Sequence, residues 1–219
     1  MATWVVHLRL ADYFLKRIKN ISPPEFVAGS VAPDCGYGEK DSPGKFDPPP
    51  SVTHWTRTGS KKDCRYADFY DTYLDGKEKD KAYWFYLGYY VHLITDIMWS
   101  SRVYLATLDK YPKEAEDYGF IKKIKSDWND LDYKYVVEHP KFPALSVLSN
   151  LGRVEDYLPY YKPNQLTEQI GNIAKYYKEA RNAKNLNRKY TYLTEAEVEN
   201  FIDCATELIN MDLKRKNLL

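Results

Sequence analysis

The chain contains little cysteine and no long hydrophobic run. Its three cysteines, at positions 35, 64 and 204 of 219 residues, are too few and too widely spaced for a disulfide framework or a paired-cysteine zinc motif. Nowhere does an uninterrupted apolar run reach the roughly 18 residues that a transmembrane helix requires. Residues 1–7 show none of the basic, apolar and small-residue regions of a signal peptide. We therefore expect a cytoplasmic protein with no transmembrane segment.

The chain also lacks an excess of charge of either sign. Lysine and arginine total 32, and aspartate and glutamate total 31. A dedicated binder of duplex nucleic acid needs a basic surface for the phosphates, so this balance argues against that class of protein. Two short basic runs, at residues 122–125 and 214–216, are interpreted as solvated helix faces rather than as a nucleic-acid or lipid patch.

Tyrosine, by contrast, is abundant, with 21 residues. A tyrosine side chain combines apolar bulk with a hydroxyl that needs a hydrogen-bond partner when buried. The tyrosines could line a polar cavity or pack between helices. Composition does not separate the two, and we favour packing.

Apolar residues recur at three- and four-residue steps, which is typical of amphipathic helices. In residues 3–19, one face carries Trp4, His7, Ala11, Phe14 and Ile18. Similar patterns predict helices at residues 63–74, 79–108, 112–138, 144–150, 166–183 and 195–215. We predict an all-α fold, a multi-helix bundle that forms one domain over residues 1–219.

Two of these helices carry signals for their first residue. Pro112 suits the first turn of the helix at residues 112–138, because proline needs no amide partner there. Thr194 and Glu197 have the spacing of a capping box at the start of the last helix.

Residues 21–62 are rich in proline and predict a long irregular segment. Only a short apolar piece at residues 26–32 interrupts it. A loop of this length is uncommon inside a compact domain and is usually functional or disordered. Because the segment contains Asp34 and His54, we interpret it as a functional loop between the first two long helices.

The chain has four histidines, and three of them lie in suggestive positions. His92 and Asp96 are four residues apart on one predicted helix, so their side chains share a face. His7 lies in the apolar stripe of the first helix and must find a polar partner in the core. Each position also has an ordinary explanation: a surface pair or buried hydrogen bond for His92 and Asp96, a satisfied core histidine, a turn aspartate at Asp34 and an exposed imidazole at His54.

Considered together, four segments form a pattern. They are WVVH at residues 4–7, FVAGSVAPD at 26–34, THW at 53–55 and FYLGYYVHLITD at 85–96. In order and spacing they resemble the bacterial zinc-dependent phospholipase C-like family over about the first hundred residues. The resemblance implies a helical fold shared with secreted phosphatidylcholine-cleaving enzymes and single-strand-specific zinc nucleases. The metal ligands it implies are His7, Asp34, His54, His92 and Asp96.

The chain departs from that family in two ways. In the secreted enzymes the mature chain begins at a tryptophan whose amine joins the metal site, whereas Trp4 is internal here. Those enzymes also have further histidines and a glutamate after the segment equivalent to His92 and Asp96. The later histidine of this chain, His139, stands beside a proline at a predicted helix end. We therefore expect a carboxylate to take the place of the missing ligands, with Asp127 as the first choice and Asp132 as the second. The site is expected to hold one metal ion or two.

The resemblance implies a metal-dependent hydrolase of phosphate esters, in which a metal-activated water attacks phosphorus. Asp34 would act as a general base or as a bridging ligand. Histidine and carboxylate ligands without thiolate favour zinc, with manganese, iron or nickel as alternatives. The substrate would be a lipid or another small phosphoester, and the oligomeric state stays open. The alternatives are a metal-stabilised domain without catalysis, a module that binds a lipid or nucleic acid without turnover, and a plain helical interaction domain.

Overall fold

A computed structural model describes residues 1–39, 42, 44–179, 183 and 185–219. The expected all-α fold is confirmed, because helices dominate the described residues. The α-helices are α1 (Trp4–Leu15), α2 (Pro23–Val31), α3 (Pro50–Thr53), α4 (Tyr66–Tyr73), α5 (Lys81–Trp99), α6 (Ala106–Lys110), α7 (Phe120–Glu138), α8 (Pro143–Ser149), α9 (Gln165–Glu179) and α10 (Glu195–Arg215). In the described ranges, none of these helices has the length and apolarity needed to cross a membrane.

The segment at residues 21–62 is more regular than its prolines predict. It contains α2, a short antiparallel pairing of β1 (Tyr37–Gly38) with β2 (Phe46–Asp47), and α3. Proline breaks a helix interior but is tolerated in the first turn, where the amide has no helical partner. Pro23 and Pro24 occupy that first turn after Ser22. The interpretation of these prolines as breakers was therefore wrong.

Helix α2 packs on α5 more extensively than any other pair of described elements. Two glycines permit the approach. A Cβ atom on Gly29 would lie 2.0 Å from the carbonyl oxygen of Phe85, and one on Gly88 would lie 2.1 Å from that of Phe26. Both distances are far below van der Waals contact, so only glycine fits at this crossing. The crossing brings residues 30–34 beside His92.

The helix predicted at residues 79–108 is interrupted. Asp80 caps α5 by accepting a hydrogen bond from the Tyr83 amide at 2.9 Å. After Trp99 a π-helical turn, Ser100–Leu105, leads into α6. Such turns insert an extra residue into a helix.

Helix α7 begins at Phe120 rather than at Pro112, so the predicted role of Pro112 was wrong. The Asp117 side chain accepts a hydrogen bond from the Gly119 amide at 2.8 Å. This local contact competes with helix formation before residue 120. In the last helix, by contrast, the capping box of Thr194 and Glu197 is present and α10 begins at Glu195, as expected.

The predicted helix at residues 166–183 appears as α9, Gln165–Glu179. Residues 180–182 lie outside the described part of the chain. Many tyrosines pack in the core, and several of their hydroxyls find partners there. Tyr90 donates to Asp212 at 2.6 Å, Tyr161 to the carbonyl oxygen of Ala32 at 2.6 Å, and Tyr177 to Asp132 at 2.6 Å.

Candidate metal centre

Four separate segments bring three histidines and two aspartates into one buried cluster. The cluster consists of His7 on α1, Asp34 after α2, His54 after α3, and His92 and Asp96 on α5. The histidines and Asp96 are at most 2% exposed, and the Asp34 side chain is 5% exposed. Burial of so many polar groups is costly unless each finds a partner. The residues chosen from the sequence pattern thus lie together.

Their potential ligand atoms form two overlapping groups. One group is His7, Asp34 and His92, and the other is His54, His92 and Asp96. Within each group the ligand atoms lie within 4.8 Å of one another. Each group has the size and the histidine–carboxylate composition that could hold a metal ion.

His54 lies at the middle of the cluster. Its Nε2 is 3.2 Å from Asp34 Oδ1, 3.4 Å from Asp96 Oδ2 and 3.3 Å from His92 Nε2. On the other side of His92, the ring of His7 stacks at a centroid distance of 3.7 Å. A single proton on His54 cannot satisfy all three neighbouring atoms, whereas one cation between them would.

Hydrogen bonds outside the cluster orient two of the rings. His92 Nδ1 lies 2.9 Å from the carbonyl oxygen of Ser30. A carbonyl only accepts, so Nδ1 carries the proton and the lone pair of Nε2 faces the cluster. His54 Nδ1 lies 3.0 Å from the Thr53 hydroxyl. The carbonyl contact fixes the tautomer of His92, whereas the hydroxyl contact orients the His54 ring, and metal-binding histidines usually have such outer contacts.

Several buried atoms of the cluster have no hydrogen-bond partner among the described residues. They are both ring nitrogens of His7, and Oδ2 of Asp96, which has the Lys61 ammonium in ion-pair range but accepts no hydrogen bond. Native proteins satisfy nearly all buried polar atoms with protein groups, water or ions. The orphaned atoms belong to residues with the right chemistry for zinc, so the cluster fits a zinc ion.

The cluster's electrostatics favour the ligand forms of these side chains. Burial alone would raise the pKa of Asp96, but the Lys61 charge and the neighbouring rings of His7 and His92 hold it well below its usual value. Burial lowers the pKa of His7 to about 4, and the repulsion that two protonated rings at His7 and His92 would feel acts in the same direction, against the opposing effect of Asp96. Charged carboxylates and neutral imidazoles are the states that bind metal ions.

The carboxylates proposed as substitutes for missing ligands are engaged elsewhere. Asp127 accepts hydrogen bonds from the amides of Thr191 and Tyr192 at 2.9 and 2.8 Å and pairs with Arg188 at 2.7 Å. These contacts tie α7 to the segment before α10. In the described part of the chain, Asp127 belongs to neither potential metal group.

Asp132, the second choice, also stays outside both groups. It accepts hydrogen bonds from the Thr3 hydroxyl at 2.6 Å, the Val5 amide at 3.4 Å and the Tyr177 hydroxyl at 2.6 Å. It therefore anchors the start of α1. Burial raises the pKa of Asp132 to about 6, although the hydrogen bonds from Thr3 and Tyr177 oppose the rise.

His139, which the sequence analysis set aside, is exposed at the end of α7. Its Nδ1 donates to the carbonyl oxygen of Tyr135 at 2.9 Å, and its ring stacks on that of Tyr135. Both contacts stay within the last turn of the helix. His139 thus offers a matched control for the buried histidines.

Sequence reasoning missed Lys61, whose Nζ lies 2.9 Å from Asp96 Oδ2. A lysine next to a second lysine in a polar loop is normally predicted to be exposed to solvent. No sequence spacing indicates that this side chain is buried. Sequence reasoning also missed the supporting roles of Ser30 and Thr53. Thr53 stands next to His54 and was part of the recognised pattern, but a contact through the Ser30 backbone carbonyl leaves no trace in residue identity.

Comparison with known proteins agrees with this geometry. Residues 6–99 match the family described as zinc dependent phospholipase C. That segment contains all five residues of the cluster. No curated protein matches the chain. No solved structure matches it either.

Proposed function

We propose, on the premise that residues 6–99 carry the sequence pattern of the zinc-dependent phospholipase C family, that the chain is a zinc-dependent hydrolase of phosphate esters. The observation that supports this most is the buried cluster itself. Three histidines and two carboxylates converge there, and both ring nitrogens of His7 lack a hydrogen-bond partner among the described residues. Burial of these five polar side chains does not stabilise a helical core unless a cation lies between them.

His54, His92 and Asp96 would hold the ion, together with Asp34 and His7. When bound, zinc supplies Lewis acidity that activates water and polarises a phosphoryl oxygen. Ser30 and Thr53 would keep the imidazoles in their binding orientation. Because these partners belong to α2 and α3, the packing of both helices on α5 positions the ligands.

Asp34 fits the role of ligand better than that of general base. Burial alone would raise its pKa, but the hydrogen bond from His54 and the attraction to His92 and His54 in their protonated forms hold the pKa of Asp34 below its usual value. A carboxylate with a depressed pKa takes up a proton from water poorly. We therefore propose Asp34 as a metal ligand, and the role of general base is the second choice for this residue.

We propose a lipid phosphoester as the substrate, since the family is named for phospholipase activity. Asp34 is the least buried side chain of the cluster at 5% exposed, and Lys61, which contacts the cluster, is 11% exposed. A substrate phosphate would therefore approach from the loop that carries Lys61. The histidines lie deeper and would contact the ion rather than the substrate.

The first test combines metal analysis with a phosphodiesterase assay. We expect the wild-type protein to contain zinc, and His92→Ala to lose both the metal and the activity. The control is His139→Ala, which removes an exposed histidine and should leave both unchanged. An active, zinc-containing His92→Ala protein would contradict the proposal, as would a wild-type protein that takes up no zinc.

A metal-stabilised domain without catalysis is the second candidate. The near-complete burial of His7, His92 and Asp96 favours it, because purely structural zinc sites are closed to solvent. In that case the protein would lose thermal stability on chelation but show no turnover of phosphatidylcholine, nucleotide or small phosphodiester substrates. Turnover that depends on zinc and on His92 would exclude this candidate.

A further inference from the structure

Lys61 places a positive charge inside the cluster. Its Nζ lies 2.9 Å from Asp96 Oδ2, and its side chain is only 11% exposed. Among the described residues Nζ has no hydrogen-bond partner of good geometry, and Asp96 is the carboxylate in ion-pair range. The neighbouring Lys62 is exposed. The two lysines thus differ in environment although they are adjacent in sequence.

The loop before α4 is built to aim Lys61 inward. Asp63 accepts hydrogen bonds from the Arg57 and Thr58 amides at 3.1 and 2.9 Å, and from the Thr58 hydroxyl at 2.6 Å. The Arg65 amide donates to the carbonyl oxygen of Trp55 at 2.8 Å, which closes the loop at its base. These contacts hold the short 3-10 turn, Lys61–Asp63, over the cluster.

The charges of the cluster limit how many cations it accepts. Asp34 and Asp96 supply two negative charges, and Lys61 supplies one positive charge. One zinc ion leaves an excess of one positive charge, whereas a second zinc ion would leave an excess of three. Excess charge of one sign in a buried site is strongly unfavourable.

We propose that the Lys61 ammonium takes the place of a second metal ion, so that the centre holds a single zinc. Lys61 binds the oxygen of Asp96 that a bridging carboxylate would offer to another cation. It also supplies the positive charge that a second ion would direct toward the substrate phosphate. This inference rests on the proposed function, because it assumes that the cluster binds zinc.

The test counts zinc equivalents and needs no activity. The full-length chain is stripped of metal with a chelator, equilibrated with buffered free zinc, and analysed for zinc per folded protein. We expect one equivalent for wild type and for Lys61→Arg, which keeps the charge. Lys61→Ala frees Asp96 Oδ2 and lowers the charge excess of a two-zinc centre from three to two, so at the same free zinc concentration it should bind a second equivalent that wild type does not. Lys62→Ala, the matched control, should bind one.

Each outcome bears on a different claim. Two equivalents in wild type, or only one in Lys61→Ala, would overturn the role of Lys61 while leaving a zinc centre in place. The absence of zinc from every protein would overturn the proposed function together with this inference. If Lys61→Ala fails to fold, the counts for wild type and Lys61→Arg decide, since two equivalents in either protein contradict a single-zinc centre and one in each supports it.

Discussion

Asp127 lies outside the histidine–aspartate cluster, and its contacts stabilise the fold. It is 3% exposed, accepts two backbone amides and pairs with Arg188. Replacing it with alanine leaves those amides without an acceptor, so Asp127→Ala should lower the free energy of unfolding by about 2 kcal/mol. Zinc content should not change. Urea denaturation and metal analysis test both expectations.

A surface pair supplies the control for that variant. Asp68 is exposed and pairs with Arg65 within one helical turn. Asp68→Ala should change the free energy of unfolding by less than about 0.5 kcal/mol. Loss of zinc from a folded Asp127→Ala protein would instead support the sequence-based choice of Asp127 as a ligand.

Asp132 makes stability depend on pH in an unusual direction. Its pKa is raised to about 6 in the folded chain by burial, whereas an unfolded aspartate has its ordinary pKa near 3.9. Between these values the folded state keeps a proton that the unfolded state has released. Stability should therefore fall as pH rises from about 4 to about 6, by roughly 2 kcal/mol.

Comparison with Asp132→Asn isolates this contribution, since the asparagine does not titrate. Other buried carboxylates, Asp34 and Asp96, have lowered pKa values and act in the opposite direction. The informative quantity is the difference in unfolding free energy between the two metal-free proteins at each pH. A difference that stays constant from pH 4 to pH 7 would rule out the raised pKa.

For single residues, the sequence predicts which side chains belong to the cluster in some cases and not in others. Helical periodicity alone predicts that His7 lies on the buried face of α1. His92 and Asp96 share a face because of their four-residue spacing. Only the family resemblance predicted Asp34 and His54 as ligands, because residues in a loop follow no periodicity that would show which side chains face the core. Lys61 could not be predicted, because its burial depends on how the loop folds over the cluster.

Among the elements, the α2–α5 crossing controls the geometry of the site. A Cβ atom on Gly88 would lie 2.1 Å from the Phe26 carbonyl oxygen, which is backbone and cannot rotate away. Gly88→Ala should therefore destabilise the fold by at least about 2 kcal/mol. It should also weaken zinc binding, because the displaced α2 carries the Ser30 carbonyl away from His92.

Gly171 on α9 offers the matched control. A Cβ atom there meets no atom within 4 Å. Gly171→Ala should leave zinc affinity unchanged and raise stability by up to about 1 kcal/mol, since alanine favours the helix. Thermal melts and zinc titrations of both variants give the comparison. Equal stability of Gly88→Ala and wild type would show that the helices can separate without cost.

The boundaries of the elements were predictable only where a local signal specifies them. The capping box of Thr194 and Glu197 marks the start of α10 because two reciprocal hydrogen bonds form there. Pro23 and Pro24 allow either a helix start or an irregular segment, and the packing of α2 on α5 selects the helix. That packing is a long-range contact, which a local pattern does not contain.

For the whole molecule, zinc should act as a cross-link between distant parts of the chain. Its proposed ligands span residues 7–96, so metal binding opposes unfolding of every segment that supplies one. Chelation should lower the melting temperature by about 10 °C, a shift that corresponds to roughly 4 kcal/mol of binding energy. His92→Ala should melt at one temperature with and without chelator. An unchanged wild-type melting temperature after metal removal would speak against a bound ion.

All five side chains of the cluster lie in the first 96 residues, whereas α7, α8, α9 and α10 lie beyond them. The proposed metal coordination would therefore restrict residue identity in the first part of the chain, whereas the second part would answer only to the contacts that stabilise the fold. Packing tolerates exchange among apolar side chains of similar volume, but coordination does not tolerate exchange of its ligands. On this proposal the second part would be free to diverge faster during evolution, while the five ligands of the first part would be inherited together.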